Sequence, residues 1–301
     1  MWTRWFAGVL TVLGAACVSA CAVPQGGAAT SVPAQDAKPV LSEALDLATF
    51  SGSWGRRQTS IERAMRRESD HCMVLKGFEP QGAPGAVEGF DEAAAIDLAR
   101  RSRVGYASEP LSAGPSASDP AVAAEARYVS RLTPARRDAY YSTLLGTGGP
   151  AVKVQLPGGR QILTPSTGCI AEGRRAVFGS IEKWAMVQYA PESLSDLVTP
   201  KIANSSVYRG ALRAWQKCLA ERGIHAQSPE ALEASSTSRA PRRPQIAAAV
   251  ADGECALESH LPRAAIQARK ALLASSLDAE QRSLLNQATR LWLDAAGASD
   301  T

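Results

Sequence analysis

TSIERAMRRESDHCMVLKGF, residues 59–78, is the stretch whose reading decides the fold. Thr59 and Glu62 have the S/T-x-x-E spacing of a capping box. Ile61, Met65, Glu68, Cys72 and Leu75 then recur at helical spacing until Gly77 stops the run in a C′ position. The segment predicts an amphipathic helix with its cysteine facing inward. The opposite face carries Arg63, Arg66 and Arg67, with Arg56 and Arg57 just upstream. It reads first as a solvated helix face, with contact to anionic lipid headgroups as the functional alternative.

The ending repeats further on. Cys72 and Cys218 both sit in C-x4-G-apolar, closing on Gly77-Phe78 and on Gly223-Ile224. Ser206 predicts the start of the second helix, whose stripe is Tyr208, Ala211, Leu212, Trp215, Cys218 and Leu219. Trp215 is expected in the core rather than as a stacking platform.

Other helices follow from similar signals. Asp91 precedes a short Ala-rich run from Glu92 to Ser102, and Ala121 to Leu132 makes another. Thr133-Pro134 supplies an N-cap and an N1 proline for a helix through Leu145, ended by Gly146. Gly168 to Phe178 and Ile181 to Tyr189 are helical, as are residues 244–258. After Pro262, Ile266, Leu273, Leu277, Leu284 and Leu291 mark a long terminal helix or a helical pair. Lys270 and Glu280 interrupt that seam, which favours packing on the chain's own core and a monomer. Val152 to Leu156 and Arg160 to Leu163 flank Pro157-Gly158-Gly159 as a small hairpin, too small to be stable alone. Residues 107–120 and 227–243, rich in Pro, Ser or Gly, read as surface loops. The expected fold is all-α, disulfide-bonded, with one small β-hairpin.

The N-terminal stretch reads as an address. One positive charge, Arg4, precedes an apolar run from Trp5 to Ala20 that is too short for a comfortable membrane span. Val18-Ser19-Ala20-Cys21 resembles a bacterial lipobox, which implies cleavage after Ala20 and diacylation of Cys21; Cys17 lacks the preceding aliphatic residue. Residues 1–20 are thus expected as a lipoprotein signal peptide, residues 21–40 as a disordered tether, and residues 41–301 as a single helical domain of two degenerate halves, about 41–190 and 191–301. Two acyl chains hold a protein stably on a membrane. The expected location is the outer face of the cytoplasmic membrane.

Cys72, Cys169, Cys218 and Cys255 remain, an even set that in an exported chain favours two disulfides. Spacing alone permits three pairings. The local context, a helix-end cysteine followed by a second one in each half, favours Cys72–Cys169 and Cys218–Cys255. Closing the shorter loop would stabilise the fold by about 4 kcal/mol through loop-closure entropy. No C-x2-C or H-x3-H spacing occurs and the chain has only 3 His, so neither a metal nor another cofactor is expected.

An ordered set of motifs resembles a family. Arg67-Glu68-Ser69-Asp70-His71-Cys72-Met73 with Gly77-Phe78; Tyr128; Leu132 to Tyr140 with Leu145-Gly146; Gly168-Cys169-x-x-Glu172 with Phe178-Gly179; Trp215-x-x-Cys218 with Gly223; and Ile246 to Asp252 with Cys255 occur in this order. Together they resemble the poorly characterised secreted lipoproteins common in actinobacteria, over about residues 60–300. Departures are Leu219, where a Met is usual, and the Gly253-Glu254 insertion in the last motif. The resemblance implies an exported, cysteine-bonded helical module and brings no catalytic residue with it.

Charge excludes little. With 33 Lys+Arg against 29 Asp+Glu, removal of Arg4 leaves 32 against 29, a formal +3 that demands no nucleic-acid partner. Ser180-Ile181-Glu182-Lys183 is a literal S-x-x-K, but no S-D-N or K-T-G element accompanies it. His71, His225 and His260 are scattered, and Glu172 names no partner. Asn204-Ser205-Ser206 is a helix-start signal. The expectation is a non-enzymatic binding module in the cell envelope, with an envelope protein or a cell-wall polymer as partner. The alternative is an envelope-directed hydrolase whose site is assembled across helices.

Overall fold

A computed structural model describes residues 39–80, 82, 84–106, 120–156, 159–239 and 242–299. The expected signal peptide, Cys21, the expected tether as far as residue 38, Pro157-Gly158 and most of the 107–120 segment lie outside these, whereas Pro39 and Val40, expected in the tether, contact the body through Asn286 and the Ala44–Leu194 cluster. Among the described residues the fold is all-α apart from one antiparallel hairpin.

Two helices built on the opening stretch organise the N-terminal part. Helix α1 (Ser42–Thr49) turns at Phe50 into α2 (Trp54–Leu75). Helix α2 starts five residues before the expected cap. Thr59 lies inside it, where its hydroxyl donates to the Gly55 carbonyl at 2.8 Å and accepts from the Val87 amide at 2.8 Å. The start is held instead by Asp46, whose carboxylate accepts from the Ser53 amide at 3.0 Å. An acid seven residues upstream in another helix leaves no capping-box spacing to read.

The other end of α2 follows the expectation. Gly77 is left-handed at φ 77°, its amide bonds the Val74 carbonyl, and the Phe78 amide bonds the Met73 carbonyl. This is a Schellman motif, with Phe78 packed against Met73 in a common cluster. The buried stripe is rotated from the one expected: Ile61, Ala64, Ser69, Cys72 and Met73 are buried, while Glu68 and Leu75 are exposed. The small residues permit close approach to α7 (Cys169–Phe178). A Cβ on Gly173 would lie 2.4 Å from the Met65 carbonyl oxygen, so only glycine fits. Ser69 Oγ donates to the Cys169 carbonyl beside the Cys72–Cys169 disulfide, whose Cα atoms are 5.4 Å apart.

The single helix expected over Glu92 to Ser102 is two, α3 (Glu92–Ile96) and α4 (Leu98–Val104). Asp97 breaks it at φ 44° and caps α4 through the Arg100 amide. Asp is among the few residues that tolerate this conformation. Helices α5 (Pro120–Ser130) and α6 (Pro134–Leu145) follow, α6 with Thr133 as cap and Gly146 as stop. Strands β1 (Ala151–Gln155) and β2 (Gln161–Pro165) pair in the register Ala151↔Pro165 to Gln155↔Gln161. The hairpin is clamped to the helices by Arg174, which donates to Thr164 and stacks 3.5 Å over the Trp184 ring.

Helix α8 (Ile181–Val198) carries Pro191 and runs into a 3-10 turn at Thr199–Asn204. Helix α9 (Ser206–Glu221) has Ser205, one residue earlier than expected, as its N-cap residue, and it ends in a second Schellman motif at Gly223 and Ile224. The segment read as a loop over 227–243 contains α10 (Pro229–Arg239), with Ser228 as cap, Pro229 at N1 and Leu232 buried. Its Ser- and Ala-rich composition masked an N-terminal signal that was complete.

Helix α11 (Arg242–Glu258) brings Cys255 to Cys218, with Cα atoms 5.6 Å apart. The terminal stretch is a helical pair, α12 (Leu261–Ser276) and α13 (Ala279–Ser299). Asp278 and Gln281 form a reciprocal capping box between them. This break resets the heptad, so the buried positions of α13 are Leu285, Ala288, Thr289 and Trp292 rather than Leu284 and Leu291.

The buried apolar residues described form four clusters. Trp292, Ala295 and Ala296 of α13 pack with Leu47, Ile61, Phe178 and Trp184, while Ile96 joins Trp215, Leu219, Leu232 and Leu261. Each large apolar side chain buried here contributes about 1.5–3 kcal/mol. No helix of the described residues is long and apolar enough to cross a membrane.

Candidate functional site

Three carboxylates tie helices of the body together, beside more exposed ion pairs such as those of Glu125, Asp196 and Glu254. Asp252, on α11 and 2% exposed, accepts from Trp215 Nε1 at 3.0 Å, Arg101 Nη1 at 2.5 Å and the Tyr106 hydroxyl at 3.3 Å. Arg101 also donates to the carbonyls of Ile96 and Ala249. Burial, followed by the Asp252 charge, drives the Tyr106 hydroxyl pKa far above its usual value, so it stays a donor. The cluster binds α4, α9 and α11 together beside the Cys218–Cys255 bond. A buried carboxylate with this many donors is a structural tie.

Asp46 is the second. Its Oδ1 accepts from Lys270 Nζ at 2.7 Å and its Oδ2 from the Ser53 amide, which joins α1, α2 and α12. Glu92 is the third, 8% exposed at the start of α3. Oε1 accepts from the Arg263 amide at 3.1 Å, and Oε2 faces Arg263 Nη2 at 2.8 Å and His260 Nδ1 at 3.1 Å. His260 is itself left-handed, at φ 52°, where the chain reverses from α11 into α12.

Between Asp46 and Glu92 lies an open cleft of about 260 Å³. Its wall combines Ser51 and Gly52, Phe90 to Glu92, and the Arg263, Gln267 and Lys270 ridge of α12. The sequence positions it through backbone ties. A Cβ on Gly55 would meet the Gly89 amide nitrogen at 2.4 Å, and the Phe90 amide bonds the Phe50 carbonyl at 2.7 Å, which fixes the Phe90 wall against α2. The cleft holds a half-buried aromatic beside planar polar side chains, and it is small against ligand pockets of roughly 300–1,000 Å³. A larger groove of about 460 Å³ lies along Glu79, Pro80, Tyr128 and Arg131.

The residues singled out in the sequence are dispersed. Ser180 of the S-x-x-K stretch caps α8, its Oγ accepting from the Lys183 amide at 3.2 Å. Glu172 is exposed, as are His71 and His225. Trp215 is fully buried, in the core rather than on a binding face. Cys72 bonds Cys169 and Cys218 bonds Cys255, whereas Cys21 lies outside the described residues. Among the described residues no group of three or more His, Cys, Asp and Glu side chains could hold a metal ion. Sequence reasoning missed Glu92 and Asp46. The signal that could have marked Glu92 is its place directly after the capping Asp91, where a second acid is redundant for the helix.

No family model matches the chain, and no curated protein or solved structure is significantly similar to it.

Proposed function

We propose that this chain is a lipid-anchored extracytoplasmic binding module, held on the outer face of the cytoplasmic membrane through Cys21 and offering a rigid helical scaffold to an envelope protein or cell-wall polymer. The observation that carries the reading is the pair of disulfides, each joining the last turn of a Schellman-capped helix to a second helix. Such bonds persist in oxidising compartments, which agrees with the lipobox at Val18 to Cys21. The ionic side chains support it as well, since Asp252, Asp46 and Glu92 hold helices together. The open cleft along α12 is the face offered to the partner.

The rival reading, an envelope hydrolase, has one observation in its favour. Glu92, which lines that cleft, faces His260 Nδ1 at 3.1 Å, a carboxylate–imidazole pair of the kind that orients a general base.

Two measurements test the proposal. Intact mass of membrane-extracted protein should show a chain beginning at a diacylated Cys21; an unmodified N-terminus elsewhere removes the anchor. Photo-crosslinking in cells from Gln267 should give one discrete adduct that His260→Gln leaves unchanged. No adduct, together with loss of envelope hydrolysis in His260→Gln, selects the rival.

A further inference from the structure

The outward face of α2 carries three exposed arginines. Arg56, Arg63 and Arg67 follow one another at i, i+7 and i+11, a single line on a helix of 3.6 residues per turn, directly opposite the Ile61–Cys72 core face. None of the three has a hydrogen bond or ion pair among the described residues. Their helix neighbours differ in this: Arg57 sits over the Trp292 ring and Arg66 reaches Glu125. His71, exposed, lies one turn beyond Arg67, and Asp70, i+7 from Arg63 and i+3 from Arg67, sets one acid among the arginines. Two exposed apolar side chains stand at the end of the helix, Val74 in line with the arginines and Leu75 about 100° round from it. Val74 is 49% exposed and Leu75 is 72% exposed, at the last turn before Gly77.

A basic line about 17 Å long from Arg56 to Arg67, with exposed aliphatic side chains about 10 Å further along the helix, has the chemistry of a surface that lies on anionic lipid. Guanidinium groups pair with phosphates in a planar fork, and an exposed leucine gains by entering the acyl boundary.

We propose that the Arg56–Arg63–Arg67 face of α2, with Val74 and Leu75 at its tip, docks the body flat onto an anionic phospholipid surface. The proposal rests on the membrane-tethered reading above. It leaves the cleft on α12 as a separate surface for the partner. Docking would hold the body at a fixed orientation on the membrane.

Vesicle co-sedimentation of the mature chain carrying Cys21→Ser, so that no acyl chain contributes, tests it. Phosphatidylglycerol–phosphatidylcholine vesicles should bind the chain and pure phosphatidylcholine vesicles should not. Arg56→Gln/Arg63→Gln/Arg67→Gln should lower partitioning by about tenfold or more, since one basic residue near such a surface counts for roughly fivefold before screening. Leu75→Ser should lower it severalfold. Arg209→Gln/Arg213→Gln/Lys217→Gln on α9, which removes the same charge elsewhere, should change it far less.

Equal loss from the α2 and α9 variants overturns the proposal, as does failure of the starting chain to bind anionic vesicles. Binding to dextran sulfate as tight as to vesicles, with Leu75→Ser neutral, assigns the line to an anionic polymer and also overturns it. The anchor is judged apart: an acylated Cys21 with no vesicle docking defeats this inference alone, and vesicle docking by a chain that cells never acylate defeats only the anchored reading.

Discussion

The indole Nε1 of Trp215 donates to Asp252 Oδ1 at 3.0 Å, with both side chains buried and the Cys218–Cys255 bond in the same cluster. The contact makes Trp215 a packing residue and a hydrogen-bond donor at once. Asp252→Ala should destabilise the body by about 3–5 kcal/mol, because Arg101 is left buried without its counter-charge. Trp215→Phe should cost less, about 1–3 kcal/mol for the lost donor. Urea unfolding followed by fluorescence and circular dichroism measures both. An Asp252→Ala midpoint equal to the parent's would show that the cluster is no tie.

Two glycines in helices should respond in opposite directions. Gly173→Ala places a methyl 2.4 Å from the Met65 carbonyl, so α7 must move from α2 at a cost of about 1–3 kcal/mol. Gly210→Ala in α9 meets no atom within 4 Å and should stabilise by up to about 1 kcal/mol through helix propensity. Thermal melts of the two variants settle the contrast, and a neutral Gly173→Ala would mean that the helices are not in close contact.

Each disulfide closes a loop of different length, 97 residues for Cys72–Cys169 and 37 for Cys218–Cys255. Replacing both members of a pair by Ser should cost about 5 kcal/mol for the longer loop and about 4 kcal/mol for the shorter. Non-reducing peptide mapping should recover Cys218 linked to Cys255, and a peptide linking Cys72 to Cys218 would refute this pairing.

Burial raises the hydroxyl pKa of Tyr106, Tyr140 and Tyr208. Their neutral forms are favoured by folding, so the stability they contribute is intact below the unfolded tyrosine pKa of about 10. It declines as pH rises beyond that point toward the folded values. Ultraviolet titration to about pH 11 should therefore show incomplete ionisation of the 6 tyrosines while the chain stays folded. Full ionisation without unfolding would contradict the burial of these hydroxyls.

What could be read from the sequence follows how local each signal is. The Schellman ends at Gly77 and Gly223, the Thr133 cap and the hairpin around Gly159 depend on residues within a turn of one another, and the chain displays them directly. The start of α2 depends on Asp46 in another helix, and the break at Asp97 on an αL residue that no periodicity announces. The candidate cleft was invisible for the same reason. Glu92 and Arg263 stand far apart in the chain, and neither belongs to a motif until α3 and α12 meet.

The last helix completes what the first helices begin. Asn286 accepts from the Leu41 amide and donates to the Pro39 carbonyl, and Trp292 fills the core between Leu47, Ile61 and Trp184. Synthesis delivers α1 and α2 first and α13 last. Before α13 docks, α1, α2 and α8 leave an apolar seat open between Leu47, Ile61 and Trp184. The Cys72–Cys169 pair can form before that moment, so oxidation can precede closure and secure α2 against α7 while the seat waits. A chaperone acting on this chain would be expected to cover the place that Trp292 later takes.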